Sequence, residues 1–201
     1  MSDEAPSPKG AVRRIVTGHD EQGRSLVTED RLAPTVHLNP KRVGYVLTQL
    51  WITDDTPASV DNGPDPTLRP VRLEPPPRGS VVRIIEFGPE GDWLRQIDAD
   101  GTRQAWGALG TATASTNTQG KAKHPFMHRT ESVDYALVLE GEITLVLDKE
   151  EVVMRKGDFL VERGTNHAWA NRSDKPCRML FVLIGGKFDP DISRHFGSIE
   201  H

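Results

Sequence analysis

From residue 124 to the C-terminal region, apolar and polar positions alternate in short runs separated by turn residues. EITLVLD, EVVMRKGD, DFLVE, HAWAN and CRMLFVLIGG each have the length and the β-branched or aromatic content of a strand. The first two form a hairpin around Lys149-Glu150. Upstream, RRIVTGHDEQGRSLVTED places two β-rich runs on either side of a glycine-containing turn, which predicts another hairpin. VGYVLTQLWIT (43–53) and VVRIIEF (81–87) continue the strand pattern. Between them, the prolines of residues 54–79 exclude helix and central strand, leaving a long loop wrapped on the core. Only GDWLRQIDADGTRQAWGALG has helical character, with Trp93, Leu94 and Ile97 spaced i, i+1, i+4. GTATASTNTQGKAK (110–123) reads as a mobile loop. Many short strands with close turns and few helices predict an all-β sandwich or barrel.

Composition narrows the function classes. At 201 residues the chain accommodates one sizeable domain, and a net charge of −4 gives no footprint for nucleic acid or an anionic membrane surface. No apolar run approaches the roughly 20 residues that span a bilayer. The polar, proline-bearing start, MSDEAPSPKG, lacks the apolar centre of a secretion signal and reads as disordered. The single cysteine, Cys177, cannot form an internal disulfide, which suits a reducing cytoplasm, and it is expected at a strand start rather than as a nucleophile.

Candidate chemistry is concentrated in HPFMHRTESVDY (124–135) and RGTNHAWAN (163–171). Strand parity puts His167, Trp169 and Asn171 on one face. On one extended strand His128 and Asp134 would lie roughly 20 Å apart, so they can meet only if the chain turns within Arg129–Val133. His124 lies roughly 13 Å from His128 by the same measure, with Pro125 able to bend the path. His124 is a candidate proton shuttle at a cavity mouth, or simply a loop histidine. Of the aromatic residues Phe126, Tyr135, Phe159, Trp169 and Phe181, most are expected in the core and Trp169 in a pocket. Arg163 could clamp a substrate carboxylate, or be a surface arginine.

These segments resemble the two motifs of the cupin superfamily. Asp134, seven residues before Gly141, stands where the first motif has glutamate; His128 matches its first histidine and Thr130 occupies the position of the second. Gly157, Gly164, His167 and Asn171 match the second motif, with Glu162 at its proline position and the spacing one residue shorter. The resemblance extends over about residues 80–187, and the whole chain is similar to bacterial single-barrel cupins of mostly unassigned activity. It implies an all-β, cupin-like β-barrel or jelly roll carrying an N-terminal β extension and one or two short helices. The implied organisation is a disordered 1–10, a β arm over 11–79, the barrel over 80–187 and a loosely held tail over 188–201, where His195 and His201 are surface residues.

The resemblance also implies a divalent metal held by His128, Asp134 and His167. Two imidazoles and one carboxylate suit Fe(II), while Zn, Mn, Ni or Co can use the same donors. Thr130, Trp169 and Asn171 are then expected at the substrate pocket and His124 in proton transfer. The expected activity is dioxygenase-like oxidation of a small organic molecule. The alternatives are redox-neutral lyase, dehydratase or isomerase chemistry, and a barrel that binds a small molecule without catalysis. A homodimer is expected, since the N-terminal section can cover an open sheet edge.

Overall fold

The computed structural model describes residues 9–111, 114–117 and 120–196. The expected disordered start falls almost wholly outside these residues, as do parts of the 110–123 loop and His201. The chain forms strands β1 (Arg13–His19), β2 (Ser25–Leu32), β3 (Thr35–Leu38), β4 (Val46–Thr53) and β5 (Ser80–Phe87). Helices α1 (Asp92–Arg95) and α2 (Ala99–Gly107) follow. The second half contributes β6 (Ser132–Glu140), β7 (Glu142–Leu147), β8 (Glu151–Arg155), β9 (Phe159–Glu162), β10 (His167–Ala170), β11 (Cys177–Gly185) and the single turn α3 (Pro190–Ser193). Residues 54–79 contain no strand or helix, as their prolines require.

Six strands make one antiparallel sheet in the order β3-β4-β5-β11-β6-β9, and three make a second in the order β10-β7-β8. The period-2 pattern decides which side chains enter the space between the sheets. Along β5, Val81, Arg83, Ile85 and Phe87 are buried while the intervening residues are only partly covered. Along β11 the buried set is Cys177, Met179, Phe181 and Leu183, and along β6 it is Ser132, Asp134, Ala136 and Val138. These faces pack on Ile143 and Leu145 of β7 and on Trp169 of β10 to form the principal core. Trp169 sits edge-on to Phe181, with ring centroids 5.4 Å apart. Cys177 belongs to this core; burial pushes its thiol up to about 12, which makes it inert. Every residue of β10 is buried: Ala168 and Ala170 face away from the cavity, against Met127 and Val146.

The N-terminal hairpin is a separate two-stranded sheet of β1 and β2. Its turn is closed by Asp20, whose Oδ1 accepts from the backbone N–H groups of Gln22 and Arg24, each at 2.9 Å. Arg14 anchors it to the rest of the fold. This buried guanidinium bonds Glu29 of β2, Asp65 of the long loop and the Leu50 carbonyl of β4, the last at 3.1 Å. The C-terminal tail is more firmly held than its polarity suggests. The Phe188 N–H donates to Glu131 at 2.6 Å, Phe188 and Phe196 pack edge-to-face at 5.0 Å, and Arg129 lies over the Phe196 ring at 3.6 Å.

Replacing Arg14 with Met leaves Glu29 and Asp65 with only the exposed Arg31, 2.7 Å from Glu29 and 3.9 Å from Asp65, and is expected to cost about 3 kcal/mol in urea unfolding at pH 7. Burial alone would raise the Asp65 carboxyl, but hydrogen bonds from Arg14 and Thr67 and the Arg14 charge bring it down to about 2. A depressed carboxyl stabilises the fold above its ordinary value near 4 and loses that contribution as pH falls through about 2. Wild-type stability therefore falls between pH 4 and 2, and this limb flattens in Arg14→Met.

A buried cavity between the two sheets

The inner face of the large sheet and the edge of the small one enclose a cavity of about 40 Å³. Its lining includes His128, Asp134 and His167 together with Arg42, Tyr45 and Arg83. Register explains three of these positions. Asp134 of β6 pairs with Leu183 of β11, and Leu183 pairs with Val81 of β5. Arg83 of β5 is opposite Phe181, one inward position along from that row. Asp134 and Arg83 therefore share a face with β11 between them. His167 comes from β10, whose other cavity-facing residue is Trp169.

His128 lies outside any named strand. It joins β10 through a reciprocal pair of backbone bonds with His167, each N–H donating to the other's carbonyl at 2.9 Å. The chain then passes through residues 129–131 from the small sheet to β6 of the large sheet. This is the bend that the separation of His128 and Asp134 demands. As a result the two imidazoles sit side by side with centroids 4.2 Å apart, and Trp106 of α2 lies 4.4 Å from the His128 ring.

Both histidines are oriented from behind. Nδ1 of His128 faces the Phe126 carbonyl at 3.0 Å, and Nδ1 of His167 faces the Thr165 carbonyl at 2.9 Å. A carbonyl only accepts, so each Nδ1 carries the proton and each Nε2 presents a lone pair when the ring is neutral. Burial, followed by the neighbouring His167, holds His128 well below the usual histidine range, and it is neutral. Burial also raises the Asp134 carboxyl, opposed by the Ser132 hydroxyl beside it and reinforced by Glu162. Asp134 and Glu162 are direct cross-strand partners on β6 and β9. Oδ1 of Asp134 and Oε2 of Glu162 are buried without a hydrogen-bond partner.

Two Nε2 lone pairs and an orphaned carboxylate oxygen on one cavity are donors of the kind a divalent cation takes. Their spacing is open: among the described residues, no group of three or more His, Cys, Asp or Glu side chains is placed to hold a metal ion. The donor chemistry fits a cation, and a closed ligand shell requires the side chains to draw together.

Other residues singled out from the sequence are placed differently. Trp169 lines the cavity on the His167 face, as parity predicts, and so does Phe181. Phe126 is in the core, whereas Tyr135 and Phe159 are on the outer face. Thr130 is buried and meets the Ser132 hydroxyl at 2.9 Å, on the chain path toward Asp134 and outside the cavity lining. His124 is likewise outside the lining: Nδ1 accepts from the Phe126 N–H at 3.1 Å and Nε2 bonds Glu90 at 2.9 Å, so both nitrogens are occupied. Arg163 is exposed. The cavity arginines are Arg42 and Arg83, and nothing in strand patterning distinguishes an inward arginine until its neighbours are known. Glu162 was recognisable only as a departure from the family motif. Its Oε1 accepts from the Thr165 N–H and, at 2.5 Å, from the Thr165 hydroxyl, which fixes the turn leading to His167.

Asn171 fastens the next turn. Its amide donates to the carbonyls of Phe87 and Lys175, each at 2.8 Å, and its oxygen accepts from the Ser173 N–H at 3.0 Å and hydroxyl at 2.8 Å. Asn171→Ala leaves the buried Phe87 carbonyl without this donor. It is expected to lose about 1–3 kcal/mol in thermal or urea unfolding while the His128–His167 pair stays in place, as read by histidine NMR shifts.

Comparison with known proteins agrees with this architecture. The Cupin domain family model matches residues 116–183. Phomopsin biosynthesis cluster protein C' of Diaporthe leptostromiformis is 33% identical over 87% of this chain and 78% of its own length. The cupin-domain-containing oxidoreductase fogC of Aspergillus ruber is 30% identical over 86% of this chain and 72% of its own. These relatives are fungal, so the bacterial grouping expected from the sequence is not supported. A solved cupin superfamily protein of Desulfitobacterium hafniense aligns with a TM-score of 0.39 and 10% identity over 73% of this chain and 88% of its own. With the barrel, the motif positions and these relatives in agreement, the chain belongs to the cupin superfamily.

Proposed function

We propose that this protein is an oxidoreductase that oxidises a small organic molecule with dioxygen in the cavity, using a divalent metal held by His128, Asp134 and His167. The observation that carries this reading is the pair of backbone-oriented imidazoles facing one cavity with the orphaned oxygen of Asp134. The relatives named as cupin-domain-containing oxidoreductases support the reaction class. When bound, the ion would supply redox or Lewis-acid chemistry, and Fe(II) suits two imidazoles and a carboxylate. The protein's own part is positional. The Phe126 and Thr165 carbonyls fix which imidazole nitrogen faces the cavity, Glu162 steadies the turn before His167, and Trp106 with Trp169 limits water at the rings.

Purified protein reconstituted anaerobically with Fe(II) is expected to hold about one ion per chain by elemental analysis. His167→Ala and Asp134→Ala should each weaken binding at least about tenfold. Oxygen consumption with organic substrates then tests the reaction. A chain that stays metal-free, with His167→Ala changing nothing, indicates a non-catalytic binding barrel. Product formed under strict anaerobiosis indicates lyase or isomerase chemistry instead.

We also propose a homodimer. Its support is an outer apolar face on which Phe159, 61% exposed, stacks against Tyr135 beside the exposed Val161. Light scattering after size exclusion should give twice the chain mass, and Phe159→Glu should give the monomer. No described helix is long and apolar enough to cross a membrane.

A further inference from the structure

Two guanidinium groups line the cavity, and among the described residues neither forms an ion pair. Arg42 donates to the Trp169 carbonyl at 2.5 Å and otherwise lies over aromatic faces, 4.9 Å from the Phe87 centroid and 4.7 Å from that of Phe126. Arg83 is 1% exposed and donates through Nη2 to the Leu73 carbonyl at 3.2 Å, while its buried Nε–H has no partner. The indole N–H of Trp106, also on the lining, is a second buried donor without an acceptor. Folding rarely leaves such donors unsatisfied, because each gives up its water without a replacement. Against the two cations the lining side chains offer one carboxylate, Asp134, so the lining is net positive even with Asp134 ionised.

We propose that this arginine-lined part of the cavity binds the carboxylate of a monoanionic substrate, with Arg83 and Trp106 as hydrogen-bond donors and Arg42 supplying charge. The missing partner is acceptor-only and negatively charged, and a carboxylate meets both requirements. A space of about 40 Å³ admits a small planar headgroup. Phe87, Trp169 and Phe181 on the same lining give the adjoining carbon skeleton apolar contact. The substrate class is thus a small carboxylic acid with an apolar body. The assignment to substrate rests on the catalytic reading above, whereas anion binding itself does not, and it can be measured without turnover.

The protein is melted as sodium acetate replaces sodium chloride at constant ionic strength, and separately with the neutral isostere acetamide. The series is repeated after chelation with EDTA. Acetate is expected to raise the melting temperature saturably, by about 3 °C relative to chloride, before and after chelation; acetamide should not. Arg83→Met should abolish the response, and Arg83→Lys should retain part of it. Equal effects of acetate and acetamide, no gain of acetate over chloride, a response lost on chelation, or an undiminished response in Arg83→Met each overturns the proposal. If Arg83→Met does not fold, the wild-type contrast of acetate with acetamide and chloride still decides. Loss of oxidative activity with acetate binding intact would defeat the catalytic reading alone.

Discussion

The reciprocal backbone pair between His128 and His167 is the constraint on which the site depends. Two N–H···O bonds of 2.9 Å attach an otherwise irregular segment to the edge of β10 and set both rings against each other. From that fixed point the chain has only three residues in which to cross to the opposite sheet before β6 begins at Ser132. Asp134 then faces inward because it is two residues into a strand whose first residue, Ser132, already points into the core. The metal-type donors are therefore a consequence of sheet geometry. The carbonyls behind each Nδ1 complete the arrangement by fixing the tautomer.

The same interior holds an unusual amount of charge for a core. Arg42, Arg83, Asp134 and Glu162 are all buried, and three of them present atoms with no partner within the chain. Desolvating such groups opposes folding, and the aromatic faces over Arg42 and the carbonyls near both arginines offset only part of that. The surrounding core must supply the difference, and it is well suited to do so, since Phe87 and Trp169 each pack edge-to-face on Phe181 at its centre. Unsatisfied polarity held inside an apolar box is the physical form of a preorganised binding site.

Much of the periphery serves to keep that box shut. His124, a candidate for proton transfer on sequence grounds, uses one nitrogen on its own loop and the other on Glu90, just ahead of α1. That bond ties the segment before the cavity residues to the helical stretch that delivers Trp106. Arg14 does the equivalent for the N-terminal hairpin, and Phe188 for the tail. The polar composition of the tail suggested loose attachment, but its two phenylalanines and the Glu131 carboxylate hold residues 188–196 against the barrel.

Period-2 alternation and turn residues marked most of the strands between Arg13 and Gly185, because each depends on neighbours within a few positions; the short β3 was not among them. The common face of His167 and Trp169 followed from the same parity. The motif spacing likewise marked His128, Asp134 and His167, and all three reach one cavity. Tertiary structure alone decided the rest, since it turns on contacts between residues far apart in the chain. Asn171 and His167 share strand parity, yet Asn171 bonds Phe87 across 84 positions and leaves the cavity to its neighbours. Arg83 looks like any strand arginine until β11 and β6 pair beside it and close off its access to water. Local order in a chain fixes which way a side chain points; whether it finds a partner, water or an empty cavity there is settled only when the sheets meet.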